Sequence, residues 1–234
     1  MYRTVVLVFV FLFVFSLGAG AEEDINHLNV NLHEVDGIKM ASLRSLSDKM
    51  DWGVEFLPEK KSVRLTGGEA ILELEVGSDE LFGRELEYAP VIEEGRVYIS
   101  LEDVEILLDE MKVEDPPQIF ADMTLDSLEF EKGDVLSGTM VLYNITDEDI
   151  TLEFSSGQNY DLLLYREGRQ IWQWSSDRMF TMALQTKQLP AGESLEFEFE
   201  FESEEDLEPG TYELRGVITS HSEIEAGSVG IEVK

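Results

Sequence analysis

The chain has no cysteine, only three histidines, and only 17 lysines and arginines against 50 aspartates and glutamates in 234 residues. Without cysteine there are no disulfides, thiol nucleophiles, iron–sulfur ligands or cysteine-based zinc sites. The histidines, His27, His33 and His221, fit no standard metal spacing. Cations are so scarce that the formal net charge is −33, which repels phosphate and argues against nucleic acid and anionic lipid headgroups as partners. Catalytic signatures are missing too. No D-x-D-x-D-G calcium loop and no G-x-S-x-G nucleophile elbow occurs, and acidic pairs such as Asp147 with Asp149 arise by chance among 50 carboxylates. Neither a metal nor a cofactor is therefore expected, and the chain is read as a non-enzyme.

What is present is apolar material in plenty. Hydrophobic residues make up 43% of the chain, with 13 Phe, 7 Tyr and 3 Trp, so the charge does not imply global disorder. The length fits one or two domains. One long hydrophobic run occurs, Val5 to Leu17, after the single positive charge of Arg3 and before Gly18, Ala19, Gly20 and Ala21. It is shorter than the ~20 residues that span a bilayer as a helix, and Ala19 with Ala21 fits an A-x-A cleavage pattern. Residues 1–21 therefore read as a secretory signal peptide cut between Ala21 and Glu22, a retained anchor being the other reading. Membrane association would then come only from an uncleaved segment. The expected location is extracellular or in the cell envelope.

After this segment the chain repeats itself. Asp36 to Asp51 and Glu94 to Asp109 share one grammar: an acidic residue, Gly, a short strand, then Ser-Leu opening a helical pattern. Gly37 matches Gly95, Ser42 matches Ser100, Leu46 matches Val104 and Met50 matches Leu108. In the second copy Leu101, Val104, Leu108 and Met111 fall on one helical face. Ser100 is the expected N-cap, with Asp103 in capping-box position. Between the copies, Val63 to Val76 alternates like a strand pair around Gly67-Gly68. These units predict a small α+β domain over residues 26–113. Asp36-Gly37, Leu43-Arg44-Ser45-Leu46, Trp52, Val54, Val63, Pro90, Ile92, Gly95-Arg96 and Tyr98 resemble the copper amine oxidase N-terminal-like domain of exported bacterial proteins. That resemblance implies an envelope or stalk module and carries neither copper nor oxidase activity with it.

Glu114-Asp115-Pro116-Pro117 breaks the helical period, and residues 114–121 read as a linker. Seven alternating runs follow over 122–234: Val135 to Asn144, Ile150 to Ser155, Tyr160 to Arg166, Gln170 to Trp174, Ser194 to Phe201, Thr211 to Thr219 and Ser228 to Val233. They predict an all-β, immunoglobulin-like sandwich. The clearest run sets Leu195, Phe197, Phe199 and Phe201 against Glu196, Glu198 and Glu200, so a one-residue slip would bury three carboxylates. Pro209-Gly210 is expected to form a type II turn, with Tyr212 behind it at a tyrosine-corner position.

Phe154-Ser155-Ser156-Gly157-Gln158-Asn159-Tyr160-Asp161, Trp172-Gln173-Trp174-Ser175, Met179-Phe180 and Leu189-Pro190-Ala191-Gly192-Glu193-Ser194 resemble the BsuPI family, the intracellular proteinase inhibitors of bacilli. The resemblance spans about Leu125 to Val233 and supplies no reactive-site residue. Trp172 and Trp174, two apart, share a strand face, and with Tyr160 and Phe180 they read as sandwich core, an exposed aromatic binding surface being the other reading. The segment after them, Ser175 to Lys187, is long for a hairpin connection, so Ser175, Ser176, Asp177, Arg178 and Met179 are the candidate partner-binding residues. The expected partner is a protein or a cell-wall polymer; inhibition of a protease through an exposed loop of the sandwich is the alternative.

Overall fold

The computed structural model describes residues 27–234 apart from 82, 132 and 203–206, so the run read as a signal peptide and the expected Ala21–Glu22 junction lie outside the described residues. The first half runs β1 (His27–Asn29), β2 (Leu32–Val35), β3 (Ile38–Ser42), α1 (Leu43–Lys49), β4 (Gly53–Leu57), β5 (Ser62–Gly67), β6 (Ala70–Glu75), β7 (Glu80–Leu81), β8 (Arg84–Glu85), β9 (Val91–Glu93), β10 (Arg96–Ser100) and α2 (Leu101–Glu110). The second half runs β11 (Ile119–Leu125), β12 (Glu129–Phe130), β13 (Val135–Asn144), β14 (Ile150–Phe154), β15 (Tyr160–Arg166), β16 (Arg169–Gln173), β17 (Gln185–Leu189), β18 (Ser194–Glu202), β19 (Gly210–Ile218) and β20 (Ile224–Val233). The fold is strongly β-rich, and both helices of the described residues belong to the first half.

The internal repeat sets the first half. Asp36-Gly37 and Glu94-Gly95 each place both residues at positive φ, 52° and 85° then 47° and 76°, the geometry of a tight two-residue hairpin. Each hairpin ends in a serine that caps a helix: the Ser42 side chain accepts from the Ser45 N–H, and Ser100 from that of Asp103. The hairpins join through β3 and β10, giving the antiparallel order β2-β3-β10-β9. In that ladder Ala41 faces Ile99, Ser42 faces Tyr98 and Met40 faces Ser100. With repeat partners 58 positions apart (95 minus 37), Ala41 faces its own equivalent, so a pseudo-twofold axis passes through that pair. Asp103 does not close a capping box. Its carboxylate accepts the Ser100 hydroxyl and the N–H groups of Glu87 and Tyr88, at 2.7 and 3.0 Å for the latter two, because the short Asp side chain faces the loop before β9. The buried face of α2 is the expected one, Leu101, Val104, Leu108 and Met111, joined by Leu107. It shares one core with Val63, Leu65, Leu72 and Leu74 of the three-stranded sheet β4-β5-β6.

In the second half, β1-β11-β13-β18 and β12-β20-β19-β15-β16 enclose a common core, with the β14-β17 pair beside them. Phe197 and Phe199 are buried in that core, and each contributes roughly 1.5–3 kcal/mol, which holds the register of β18. Trp172 and Trp174 pack at its margin, half-buried. The expected type II turn is not formed: Gly210 begins β19 at φ 146°, far from the roughly +80° that turn needs. Tyr212 donates from its hydroxyl to the Glu208 carbonyl at 2.7 Å, the tyrosine-corner bond.

The stretch read as a linker becomes strand at Ile119, and β11 joins the halves. Ile119, Ala121 and Met123 face the second core, while Phe120 between them is buried in the first. Tyr143 and Val141 of β13 also reach the first core. β1 pairs in parallel with β11, and Asn29 donates to the carbonyls of Ala121 and Ala226, so the start of the first half is stitched to the second. At this junction burial pushes the Asp122 carboxyl up to about 6, against the opposing pull of the Met123 and Leu32 N–H groups and of Lys39.

Candidate functional site

The segment between β16 and β17 is the most exposed apolar part of the described surface. Trp174–Asp177 forms one 3-10 turn, and residues 178–184 then run without regular structure to Gln185. On this strap Met179 is 99% exposed, Met182 90% and Leu184 84%. Three large apolar side chains stand in water on a chain that has ample core to bury them, which is the informative kind of exposure.

The strap is exposed but held. Its entry is fixed by Asp161 on β15, a carboxylate only 5% exposed. Asp161 accepts the Ser175 N–H at 3.1 Å, the Ser175 hydroxyl at 2.6 Å, and the side-chain amides of Gln173 and Gln158 at 2.6 and 3.2 Å. Its own neighbour Leu162 adds an N–H at 2.9 Å. Five donors converge on one buried carboxylate, the arrangement that makes burying a charge tolerable. Next, Arg178 lies over the Trp174 indole at 4.2 Å and donates from Nε to the Trp174 carbonyl at 3.1 Å. Phe180 packs on the same indole at 5.8 Å, and Tyr160 on it at 4.7 Å. The middle of the strap is pinned by the Gly157 N–H, which donates to the Thr181 carbonyl at 2.8 Å. A Cβ at Gly157 would stand 2.5 Å from the Thr181 hydroxyl, so only glycine allows this approach. Asn159 reaches Gln185 at the exit, at 3.3 Å.

The run Ser156 to Asp161 thus acquires a physical role. It is the cradle of the strap, contributing the close approach at Gly157, the bond from Asn159, the ring of Tyr160 and the hub at Asp161. The five residues expected to meet a partner divide accordingly. Ser175 is turned inward to Asp161, Arg178 is spread on Trp174, Ser176 and Asp177 are exposed in the turn, and Met179 projects fully. Met182 and Leu184 extend the same exposed apolar surface beyond them. Among the described residues no group of three or more His, Asp or Glu side chains is placed to hold a metal. His33 pairs instead with Glu93 and stacks on Tyr98 at 5.1 Å, and the His27 ring accepts the Glu225 N–H at 3.2 Å.

Two family models match the chain. One, the copper amine oxidase N-terminal domain, covers residues 22–125, and the other, BsuPI, intracellular proteinase inhibitor, covers 123–223. They meet within β11, the strand that serves both cores. No curated protein matches the chain. Among solved structures it is similar to the sporulation control protein Spo0M of Bacillus subtilis, at 14% identity and a TM-score of 0.36 over 51% of this chain and 50% of that one. The alkylpurine DNA glycosylase AlkC of Pseudomonas fluorescens aligns at 12% identity and a TM-score of 0.34, over 50% of this chain and 30% of that one. A beta-glucosidase of Listeria innocua aligns at 18% identity and a TM-score of 0.30, over 48% and 16%.

Proposed function

For a chain that carries a copper amine oxidase N-terminal domain followed by a BsuPI domain, we propose an exported, non-catalytic protein-binding role in the bacterial cell envelope, exerted through the strap 178–184. The observation that carries this reading is the combination of Met179, Met182 and Leu184 standing exposed on a backbone fixed at entry, middle and exit. Burying such side chains against a partner is worth roughly 1.5–3 kcal/mol each. A strap already held in place loses little conformational entropy on binding, so more of that energy appears as affinity. Export is supported by the apolar run Val5 to Leu17 and the small residues Ala19 and Ala21. We read the second half as an immunoglobulin-like sandwich, a reading supported by its two facing sheets and by the Tyr212 bond.

A second reading uses the same strap as a proteinase inhibitor. It is favoured by the irregular, pinned path of residues 178–184, which would offer the Met179 side chain to an apolar specificity pocket. Two experiments separate the readings. Retention of the protein on isolated cell walls after salt washing, without inhibition across a broad protease panel, supports the envelope role. A slowly dissociating protease complex, with protection lost in Met179→Asp, supports inhibition. Turnover of any substrate abolished by one carboxylate or histidine substitution would overturn both.

A further inference from the structure

The pseudo-twofold axis of the first half makes the same groove twice, each time between one hairpin and the helix of the other repeat. On one side, Gly37, Lys39, Leu101 and Glu102 face a segment of the second half, Tyr143 to Asp147, across a cleft of about 340 Å³. Ile145 of that segment packs against the first core. On the other side stand the repeat equivalents, Gly95, Val97, Leu43 and Arg44, around a groove of about 270 Å³. Its far wall is Val54 and Phe56 of β4, with Val63 of β5.

This second groove is apolar, open and locally cationic. Phe56 lies opposite Val63 in the ladder, and Val54 opposite Leu65, so β4 turns these side chains toward the core. Phe56 is nevertheless 44% exposed, as is Ile92 on β9 across the groove. Both flanking strands are sheet edges among the described residues: β4 pairs there with β5 alone, and β9 with β10 alone. Each therefore presents a free row of backbone donors and acceptors. Arg44 and Arg96 line the groove, and neither guanidinium has an ion-pair or hydrogen-bond partner among the described residues. In a chain of net charge −33, two arginines with no carboxylate partner among the described residues, beside an apolar groove, are a marked asymmetry.

We propose that this groove binds an extended, acidic segment of a protein partner, seating an apolar side chain on Phe56 and Ile92 and its carboxylates on Arg44 and Arg96. The free edges of β4 and β9 supply main-chain bonds, as in strand addition to a sheet edge. The chain itself holds the precedent. Its equivalent groove already faces Tyr143 to Asp147, an isoleucine followed by Thr146 and Asp147 and then by Glu148 and Asp149. The exchange of Glu102 for Arg44, and of Ile38 for Arg96, turns the open copy toward a more acidic occupant.

The test uses the full chain and a fluorescein-labelled peptide, Tyr-Asn-Ile-Thr-Asp-Glu-Asp, which copies residues 143–149. Anisotropy should report saturable binding that weakens roughly tenfold in the Arg44→Glu/Arg96→Glu variant and falls as salt rises. A control, Glu102→Ala in the equivalent groove, should leave binding unchanged. Circular dichroism verifies the fold of each variant, and Ile92→Ser, at an exposed edge, gives a second loss of binding that does not depend on charge. Absence of binding, equal binding by the double-arginine variant, or equal binding of a peptide with lysine at the acidic positions would overturn the proposal. So would saturation of the groove by decanoate with no peptide binding, which would make it a site for an amphiphilic anion.

Discussion

Replacing Asp122 with Asn should stabilise the protein at neutral pH and leave it unchanged in acid. Asp122 sits on β11 where the two halves meet, and burial raises its carboxyl from 3.8 to about 6 although the Leu32 and Met123 N–H groups and Lys39 pull it down. A raised folded value means that the fold prefers the protonated acid. Its contribution to stability is complete below pH ~4 and lost as the pH rises through ~6. A shift of about two units corresponds to about 3 kcal/mol at most. Partial exposure and loss of the Lys39 attraction reduce the expected gain for Asp122→Asn to about 1–2 kcal/mol at pH 7.5. The amide oxygen still accepts from Leu32, so the substitution removes the charge and keeps the junction bond. Glu73 and Glu213 have lowered values from bonds to Lys60 and Arg215, so their contributions run the other way, present above about pH 4.5 and lost in acid. The informative quantity is therefore the difference between variant and parent. Urea midpoints followed by tryptophan fluorescence at pH 4, 5, 6 and 7.5 give it: no difference at pH 4, opening by pH 6 and level above. A pH-independent difference, or a variant less stable than the parent at pH 7.5, would refute the reasoning and show that Lys39 holds the carboxylate as a stabilising pair.

Three further outcomes follow from the strap and the surface. Asp161→Ala leaves the Ser175, Gln173 and Gln158 donors without their acceptor, so it should cost about 2–4 kcal/mol in denaturant titration and raise proteolytic cleavage between 175 and 184. Gly157→Ala forces the strap away from a Cβ 2.5 Å from the Thr181 hydroxyl, and should accelerate hydrogen exchange at 157 and across the strap while the global midpoint moves by only about 1 kcal/mol. Acids spread over both halves, as in Glu196, Glu198 and Glu200 opposite the inward phenylalanines, repel one another at low salt, so thermal midpoints should rise between about 0.1 and 2 M NaCl; a flat or falling trend would contradict surface charging suited to high salt.

The elements that were legible in the sequence are those with one wet face. β18 shows it in full, since Phe and Glu alternate and only one register keeps the carboxylates out. The repeat was legible because its turns require positive φ and its helices require a serine cap, constraints that leave the same letters at the same spacing. β11 was hidden for the opposite reason. Ile119, Ala121 and Met123 serve one core and Phe120 the other, so the period-two signal is erased, and Pro116-Pro117 just before it reads as a boundary. β17, polar but for Leu189, carries no alternation to find. The strap is legible from its length between strands, whereas the exposure of Met182 and Leu184 within it leaves no signal in the sequence and appears only in the fold. Asp161 is one of 50 acids, and its hub becomes visible only when the chain brings Ser175 back across 14 positions.

A strap that engages a partner should be reachable by a crosslinker placed on it. A photo-crosslinking residue at position 182, with a control at position 71, where Ile71 is also exposed but lies on β6 away from the strap, tests it in the native extracellular fraction. A discrete crosslinked protein is expected from position 182, absent from position 71 and lost when Met179 and Leu184 are changed to Ser. No crosslink at 182, or the same pattern from both positions, would contradict it.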